Sequence, residues 1–229
     1  MKHDFFKFPS TPHLAVLGDI KIRDDKVMPE SERNRFLGNE MVVEEKIDGA
    51  NLGISFDGKG NIRIQNRGSY LVLPASGQWK KLSDWVDPRT DSLFETLTDR
   101  FILFGEWCYA QHSVSYDRLP DWFLGYDIFD KNYQKFLSCL NRDRFFERLD
   151  ISQAPVLAHG HFSFSELKQF LSHSRFGKDP AEGVYLRIDQ GEWLAQRAKL
   201  VRPAFIQSMG KHWSRSGLKT NRLESDVLV

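Results

Sequence analysis

A glycine-rich turn between two alternating segments restricts the fold of this chain more than any other feature. Residues 52–56 and 61–65 each alternate apolar and polar side chains, and residues 57–60, which include two glycines, separate them. The pattern predicts a β-hairpin, because successive side chains of a strand point to opposite faces of a sheet. Further strands and a few interspersed helices follow, so we expect an α+β fold with antiparallel sheets rather than βαβ winding.

The predicted elements are short and mixed along the chain. Strands are expected at residues 41–46, 52–56, 61–65, 101–105, 122–130, 182–188 and 192–201. Helices are expected at residues 86–101, 142–150 and 163–174, and from residue 203 onward. Asp87 and Pro88 are typical of a helix start. Ser163 and Glu166 form a capping-box pattern, and the mixed charges of residues 19–40 indicate a solvated surface segment.

Composition excludes several classes of protein. The 229 residues carry a formal net charge of +1, so any contact with nucleic acid needs a local basic patch. The two cysteines make no disulfide framework, and the polar N-terminus is unlike a signal peptide. No apolar run approaches ~18 residues. We therefore expect a cytoplasmic protein with no membrane-spanning segment.

Lys46 lies where the strand predicted at 41–46 meets a turn formed by Asp48 and Gly49. Residues two apart on a strand point to one face, so the amine and the carboxylate can share a site. A lysine has an unperturbed pKa of about 10.4 and becomes a nucleophile only after losing its proton. Nearby positive charge lowers that pKa, and the family resemblance given next implies Arg67, Arg197, Lys199 and a bound metal as its sources. Taken alone, the four residues also fit a solvated lysine followed by a turn aspartate.

The Lys-x-Asp-Gly pattern at residues 46–49 resembles the nucleotidyl-lysine motif of the covalent nucleotidyltransferases, which include ATP-dependent DNA and RNA ligases and messenger-RNA capping enzymes. Five further patterns follow in the order of that superfamily's motifs. They are Asn66-Arg67-Gly68-Ser69, Glu106 after an apolar strand, Tyr126-Asp127-Ile128, Glu182-Gly183-Val184-Tyr185, and Arg197 with Lys199. The layout is most similar to nick-sealing RNA ligases. It implies a ligase-type nucleotidyltransferase (adenylation) domain with antiparallel sheets, flanking helices and an ATP-grasp-like nucleotide cleft.

The resemblance implies two catalytic lysines and a set of nucleotide-binding residues. Lys46 would be the nucleophile that holds AMP, and Lys199 would face the α-phosphate as a second catalytic group. The residues implied to bind ATP are Glu45, Asn51, Arg67, Glu106, Tyr126, Glu182, Arg197 and Lys199. Asp48 and Glu182 would share Mg²⁺ or Mn²⁺, partly through water.

Three of these residues have a more specific implied role. Glu45 would contact the adenine amino group, although it also fits a strand residue that faces solvent. Glu106 would accept a hydrogen bond from a ribose hydroxyl. Tyr126 would stack on the purine, with Phe129 as the alternative.

Arg197 and Lys199 lie two apart on a predicted strand and share a face with apolar side chains. Two cations on such a face are costly unless an anion meets them, and a triphosphate would do so. Arginine at position 197 departs from the Lys-x-Lys pattern usual in the family. Because a guanidinium gives up a proton less readily than an amine, Lys199 is the better candidate for catalysis.

The implied function is an ATP-dependent polynucleotide ligase that joins 5′-phosphate and 3′-hydroxyl ends of RNA, with DNA as the alternative substrate. A DNA ligase, an RNA-capping-type nucleotidyltransferase and a catalytically silent nucleotide-binding module stay open. Residues 1–203 are expected to form the nucleotidyltransferase domain, and residues 204–229 a short basic helix and tail with no OB domain. Nucleic-acid binding would then depend on that tail or on a partner protein or domain.

Overall fold

The computed structural model describes residues 5–18, 27–208 and 217–227. The strands are β1 (Met41–Lys46), β2 (Ala50–Phe56), β3 (Ile62–Gln65), β4 (Phe101–Trp107), β5 (Phe123–Asp130), β6 (Lys135–Phe136), β7 (Val156–Gly160), β8 (Gly183–Gln190) and β9 (Trp193–Val201). The helices are α1 (Glu30–Leu37), α2 (Leu82–Val86), α3 (Thr90–Leu97), α4 (Cys139–Leu149), α5 (Phe164–Gln169) and α6 (Pro203–Ser208). Within these described ranges, no helix is long and apolar enough to cross a membrane.

Two antiparallel sheets form the framework of the molecule. Sheet A has the strand order β7-β1-β8-β9, and sheet B has the order β3-β2-β4-β5-β6. Since β1 belongs to sheet A and β2 to sheet B, the chain crosses between the sheets over residues 47–49, directly after Lys46. The predicted α+β class, the hairpin of β2 and β3, and the antiparallel pairing are confirmed.

Helices cover the outer face of each sheet. On sheet A, Val43 of β1 packs in one apolar cluster with Phe36 of α1 and Leu167 of α5. On sheet B, Ile54 of β2 shares a second cluster with Leu93 of α3. All five side chains are fully buried, so these outer faces supply much of the apolar area removed from water.

The inner faces of the two sheets look toward each other. Glu44 and Lys46 lie on the face of β1 opposite to that of Met41 and Val43, which pack in the outer apolar cluster, and therefore point into the space between the sheets. Phe6 and Phe8 of the N-terminal arm close one end of that space. Phe129 stacks on Phe6 with 3.8 Å between the ring centroids, so this alternative stacking residue is part of the apolar packing.

The helix predicted at residues 86–101 is wrong in its extent. Residues Asp87–Arg89 form a 3₁₀ turn between α2 and α3, so Asp87 and Pro88 do not cap an α-helix. Helix α3 ends at Leu97 because Thr98 takes a positive φ of 50°. Strand β4 begins at Phe101 as predicted, so the predicted helix wrongly overlapped its first residue.

Other elements differ less from the predictions. The capping box of Ser163 and Glu166 is present, but α5 ends at Gln169 rather than near residue 174. Helix α1 lies in the segment predicted to be solvated, for which no helix was predicted, and strand β7 was not predicted. Their sequences carry few buried apolar residues, since Phe36 is the one buried side chain of α1.

Part of the predicted tail packs on the domain. The Asn221 side chain is buried, donates to the Cys108 carbonyl at 2.7 Å and accepts from the Tyr116 amide at 3.0 Å. Phe205 of α6 shares an apolar cluster with Ile47. The basic residues Lys211, His212 and Arg215 lie outside the described residues.

Candidate active site

A cleft between the inner faces of the two sheets collects most of the predicted site residues. Strands of both sheets and the N-terminal arm contribute to its lining. The predicted residues that line it are Glu45, Lys46, Asn51, Arg67, Glu106, Tyr126, Glu182 and Lys199. Asp48 and Arg197 are not part of the lining and make their contacts beside it. The fold therefore brings most of the dispersed motifs to one place.

Lys46 ends β1 with its amine paired to an acid. Its Nζ donates to Glu182 Oε2 at 2.8 Å, and the two side chains are 23% and 8% exposed. Burial alone would lower the pKa of Lys46, but the charges of the surrounding carboxylates outweigh burial and raise that pKa. The sequence suggested cations around this amine, whereas the structure surrounds it with acids. The amine is therefore protonated. It must lose its proton, and with it the ion pair to Glu182, before it can attack phosphorus.

Three carboxylates, those of Asp48, Glu106 and Glu182, act on this one amine. Burial raises the pKa of Glu106 to about 8 and that of Glu182 to about 7, although Lys46 opposes both shifts. Glu106 Oε2 is buried and has no hydrogen-bond partner among the described residues. Clustered carboxyl groups and an unpaired acceptor fit a divalent cation, which would favour the ionised forms of these acids.

A magnesium ion would suit this arrangement better than a metal held by protein alone. The described residues contain no group of three or more His, Cys, Asp or Glu side chains that could hold a metal ion. Mg²⁺ keeps several waters and is commonly bound through one or two carboxylates together with substrate phosphates. The donor set here therefore fits an ion that arrives with a nucleotide.

Asp48 anchors a loop and forms no direct hydrogen bond with Lys46. Its Oδ2 accepts from the backbone amides of Ser113 at 2.7 Å and Val114 at 2.9 Å. Its own amide donates to the Tyr116 hydroxyl at 2.8 Å. The side chain thus fixes the loop at residues 112–116 against the crossover that follows the lysine.

Gly49 lets the crossover approach β4 closely. A Cβ at this position would lie 2.8 Å from the Trp107 carbonyl oxygen and 3.3 Å from Glu106 Cβ. Any side chain there would push the crossover away from β4. The glycine of the motif therefore brings Glu106 close to the end of β1.

Tyr126 occupies a β-bulge in sheet B. The register between β4 and β5 shifts between Phe104 and Gly105, which leaves Tyr126 as the extra residue. Bulges redirect a side chain, and here the ring lines the cleft. The Asn51 side-chain amide donates to the Tyr126 hydroxyl, and Asn51 pairs with Glu106 across β2 and β4. The aromatic face is thus held by the strands that carry the polar groups.

Glu45 is buried, so the interpretation that it faces solvent is wrong. The residue is 2% exposed, and its Oε2 accepts from the Arg175 backbone amide at 2.8 Å. Burial raises the pKa of Glu45, while hydrogen bonds from Ser174 and Arg175 oppose that shift. Its Oε1 is buried without a hydrogen-bond partner within the described structure. An unpaired acceptor of this kind suits a ligand that donates, such as an amino group.

Two of the predicted cations lie at the cleft. Arg67 is exposed and donates to the Ser10 hydroxyl at 3.3 Å. Lys199 is half-buried on β9, where its backbone amide donates to the Pro12 carbonyl at 2.9 Å. Both positions allow positive charge to meet a phosphate group from different sides of the cleft.

Arg197 meets an internal anion. Its Nη1 donates to Asp127 Oδ2 at 3.4 Å, and its guanidinium carbon lies 4.6 Å from the ring centroids of both Phe8 and Phe136. A buried carboxylate, which is also paired with Arg187, thus lies beside Arg197, and contact of Arg197 with a triphosphate stays a prediction. Its position on β9 still places it two residues from Lys199.

A buried ionic network behind the cleft was missed by the sequence analysis. Arg142 of α4 donates to Glu44 Oε1 at 2.7 Å, and both side chains are 1% exposed. Arg187 of β8 is paired with Asp127, and neither is exposed. Glu44 lies two residues before Lys46 on β1, so its side chain points to the same face, and this spacing would have placed it in the site. The sequence contains no signal for its partner, Arg142.

Comparison with protein families and solved structures agrees with this geometry. The family model described as RNA ligase matches residues 39–201, a range that contains every predicted site residue. No curated protein matches the chain.

Solved structures of the RNA ligase of Naegleria gruberi are similar in fold. An alanine variant with ATP and Mn has a TM-score of 0.59 and 18% identity, over 76% of this chain and 53% of that chain. The structure with PPi has a TM-score of 0.60 and 18% identity, over 91% of this chain and 65% of that chain. Another alanine variant, with AMP and Mn, has a TM-score of 0.61 and 17% identity, over 89% of this chain and 64% of that chain.

This chain thus spans between half and two thirds of the length of those structures. At 17–18% identity the similarity to those structures shows only the fold. The fold of this chain is that of the part of those ligases that the chain covers. The family model adds the sequence motifs and matches most of the chain. By this match and by its fold, the chain belongs to the RNA ligase family.

Proposed function

We propose that this chain is an ATP-dependent polynucleotide ligase that acts on RNA through a covalent lysyl-AMP intermediate. The observation that carries the proposal is the single cleft in which Lys46 meets Glu106, Tyr126, Glu182 and Lys199. The amine can attack phosphorus, and the aromatic face can stack on the base. The buried acceptors can hold the ribose, and the cation can offset the phosphate charge. The similar N. gruberi structures with ATP, AMP and PPi support ATP as the substrate.

In the first step the Lys46 amine attacks the α-phosphorus of ATP. An N–P bond forms, the P–O bond to pyrophosphate breaks, and AMP is held on the amine as a phosphoramidate. The amine must first release a proton, and Glu182 Oε2 lies within reach at 2.8 Å. Lys199 would offset charge at the α-phosphate. Positioning and charge stabilisation supply most of the catalysis in such a transfer.

The nucleotide's base and sugar would be held by the remaining cleft residues. Tyr126 would stack on the adenine, and Glu45 Oε1 would accept from its amino group. Glu106 and Asn51 would take the ribose side, with Arg67 on the phosphate side. These roles use atoms that have no hydrogen-bond partner among the described residues or that reach the cleft surface.

Asp48 and Glu182 are proposed to hold Mg²⁺ or Mn²⁺, partly through water. When bound, the ion would neutralise charge on the triphosphate. The chain contributes by fixing both acids, Asp48 through the amides of Ser113 and Val114, and Glu182 through Lys46.

The later steps require a polynucleotide. AMP would pass from Lys46 to a 5′-phosphate, and a 3′-hydroxyl would then displace AMP and close the phosphodiester bond. We propose that residues 1–203 form the nucleotidyltransferase domain. Contact with RNA would use residues 204–229 or a partner protein or domain. A cytoplasmic location is part of the proposal and is supported by two unpaired cysteines, Cys108 and Cys139.

Labelling with nucleotide tests the first step. The protein is incubated with α-labelled ATP or GTP and Mg²⁺, and the adduct is located by intact-mass and peptide mass spectrometry. Lys46→Ala should abolish the adduct, whereas Lys59→Ala, which removes an exposed lysine of the β2–β3 turn, should not. An absent adduct, or one on another side chain, would overturn the proposal, and a GTP-only adduct would indicate a capping-type enzyme.

A chase with nucleic acid tests the later steps. Purified adenylylated protein is mixed with nicked RNA, nicked DNA or single-stranded RNA that carries 5′-phosphate and 3′-hydroxyl ends. We expect sealing of RNA. If only DNA is sealed, DNA replaces RNA as the proposed substrate. If none of the nucleic acids removes AMP from the protein, the chain catalyses adenylylation without ligation.

A further inference from the structure

Arg142 connects the strand of the nucleophile with the bulge that carries Tyr126. Its Nη1 donates to Glu44 Oε1 at 2.7 Å and to the Tyr126 carbonyl at 2.9 Å. The arginine lies in α4, outside both sheets, and is 1% exposed. One buried group thus contacts a strand of sheet A and a strand of sheet B.

Both contacts of Arg142 belong to walls of the cleft. Glu44 is two residues from Lys46 on β1, so the two side chains share a face. Tyr126 is the extra residue of its bulge, and its ring lines the cleft. Arg187 also donates to the Tyr126 carbonyl, at 3.2 Å, but its carboxylate partner is Asp127. Of these two arginines, Arg142 is the one whose side chain pairs with a carboxylate of the lysine strand, although Arg187 lies on β8, the neighbour of that strand in the sheet.

Stability alone explains this pair poorly. A buried ion pair often contributes no more than a well-packed apolar pair of the same size. In the described structure Arg142 Nη2 and Glu44 Oε2 are both buried without hydrogen-bond partners, and each unpaired group costs free energy. A bulge residue, in contrast, lacks a regular ladder partner, so a fixed donor to its carbonyl determines where its side chain stands.

We propose that Arg142 is a positioning residue that sets the distance between Lys46 and Tyr126, and thereby the affinity for the nucleotide's base. The proposal rests on the function proposed above for the cleft. The guanidinium makes its hydrogen bonds away from the Lys46 amine, so its effect should be confined to the side of the cleft that would stack the base. The polyphosphate side should not respond to it.

Calorimetric binding of AMP and of inorganic pyrophosphate to the whole protein tests the proposal. Arg142→Lys keeps the charge but shortens the side chain and removes the planar donor pair. The Kd for AMP should rise about tenfold, within the range expected for a disturbed base stack, while the Kd for pyrophosphate changes less than about twofold. Arg144→Lys, on the exposed face of the same helix, should bind both ligands as the wild type does.

A second variant covers the case in which Arg142→Lys fails to fold. Glu44→Gln with Arg142→Met removes both charges together, so neither is left buried and unpaired. It should show the same selective loss of AMP affinity, with folding checked by circular dichroism and a thermal melt. A folded variant with unchanged AMP affinity, or with equal losses for AMP and pyrophosphate, overturns the positioning role.

These measurements separate this inference from the proposed function. If wild-type protein binds AMP but forms no lysyl adduct, the ligase proposal is overturned. The affinities of the Arg142→Lys variant for AMP and pyrophosphate then still decide the positioning role. Wild-type protein that forms the adduct, together with an Arg142→Lys variant of unaltered AMP affinity, would overturn only the positioning role. Wild-type protein that binds no AMP would overturn both.

Discussion

Lys46 Nζ lies 2.8 Å from Glu182 Oε2, so the proposed nucleophile is hydrogen-bonded to a proposed metal ligand. The pair joins the end of β1 to the residue that precedes β8. Burial would by itself lower the pKa of Lys46, yet the charge of Glu182 and of the other nearby acids raises it. A reaction at this amine must therefore begin with the loss of its proton, for which Glu182 lies within reach.

The kcat/KM for adenylylation should rise continuously between about pH 6 and about pH 9, because kcat/KM reports the ionisable groups of the free enzyme. With its pKa above the ordinary value, Lys46 stays protonated over this range, and its uncharged fraction grows about tenfold per pH unit. Single-turnover labelling at limiting ATP measures the profile. A plateau below about pH 8 would mean that the amine is already uncharged, against the pairing seen here.

Binding of Mn²⁺ should release protons and become tighter as the pH rises through the range of two acids. The pKa values of Glu182, about 7, and Glu106, about 8, leave both partly protonated near neutrality. A cation favours their ionised forms, so its affinity should increase until both acids have lost their protons. Calorimetry in two buffers of different ionisation enthalpy counts the protons released.

Glu106→Gln provides the control for this linkage. The variant cannot ionise at position 106, so it should release fewer protons and show a weaker pH dependence of Mn²⁺ affinity above about pH 7. An unchanged proton count in the variant would remove Glu106 from the metal's surroundings. If the Mn²⁺ affinity of the wild type does not depend on pH, neither Glu106 nor Glu182 changes its protonation when the ion binds.

The resemblance of the sequence motifs to those of the RNA ligases predicted which residues line the cleft, and their positions on strands agree with that prediction. Hydrophobic alternation fixes the register of a strand, and register fixes which polar side chain faces inward. Lys46, Glu106 and Glu182 each lie at or near a strand end, where the apolar pattern stops. Such positions can be recognised without knowing what lies opposite them.

Side-chain partners were beyond the sequence because they depend on tertiary packing. Lys46 and Glu182 are 136 positions apart, and Arg142 and Glu44 are 98 apart. No local pattern states that these pairs meet, or that Asp127 lies beside Arg197. The charges of the site were thus predictable, whereas the pairing that sets their pKa values was not.

Replacing Tyr126 should separate the stacking of its ring from the hydrogen bond of its hydroxyl. Tyr126→Phe keeps the face and loses the contact with Asn51, so the KM for ATP should rise only about threefold. Tyr126→Ala removes the face and should raise KM by about 5- to 150-fold, since stacking on a base contributes about 1–3 kcal/mol. Equal effects of the two variants would show that the hydroxyl, and not the ring, holds the nucleotide.

Asp48→Ala should destabilise the protein. The substitution leaves the amides of Ser113 and Val114 without their acceptor, and a buried unpaired donor costs about 1–3 kcal/mol. Asp84→Ala, which breaks an exposed pair with Lys81, should cost less than about 1 kcal/mol. Chemical denaturation of both variants beside the wild type gives the two free energies of unfolding.

Asp48→Asn distinguishes the structural contribution of Asp48 from its proposed place near the metal. An amide oxygen can still accept from Ser113 or Val114, so this variant should recover more than half of the stability lost in Asp48→Ala. It carries no negative charge, so its adenylylation rate should stay at least about tenfold below the wild type and respond weakly to added Mn²⁺. If the asparagine restores adenylylation together with stability, Asp48 acts only by holding the loop, and the cation must depend on Glu106 and Glu182.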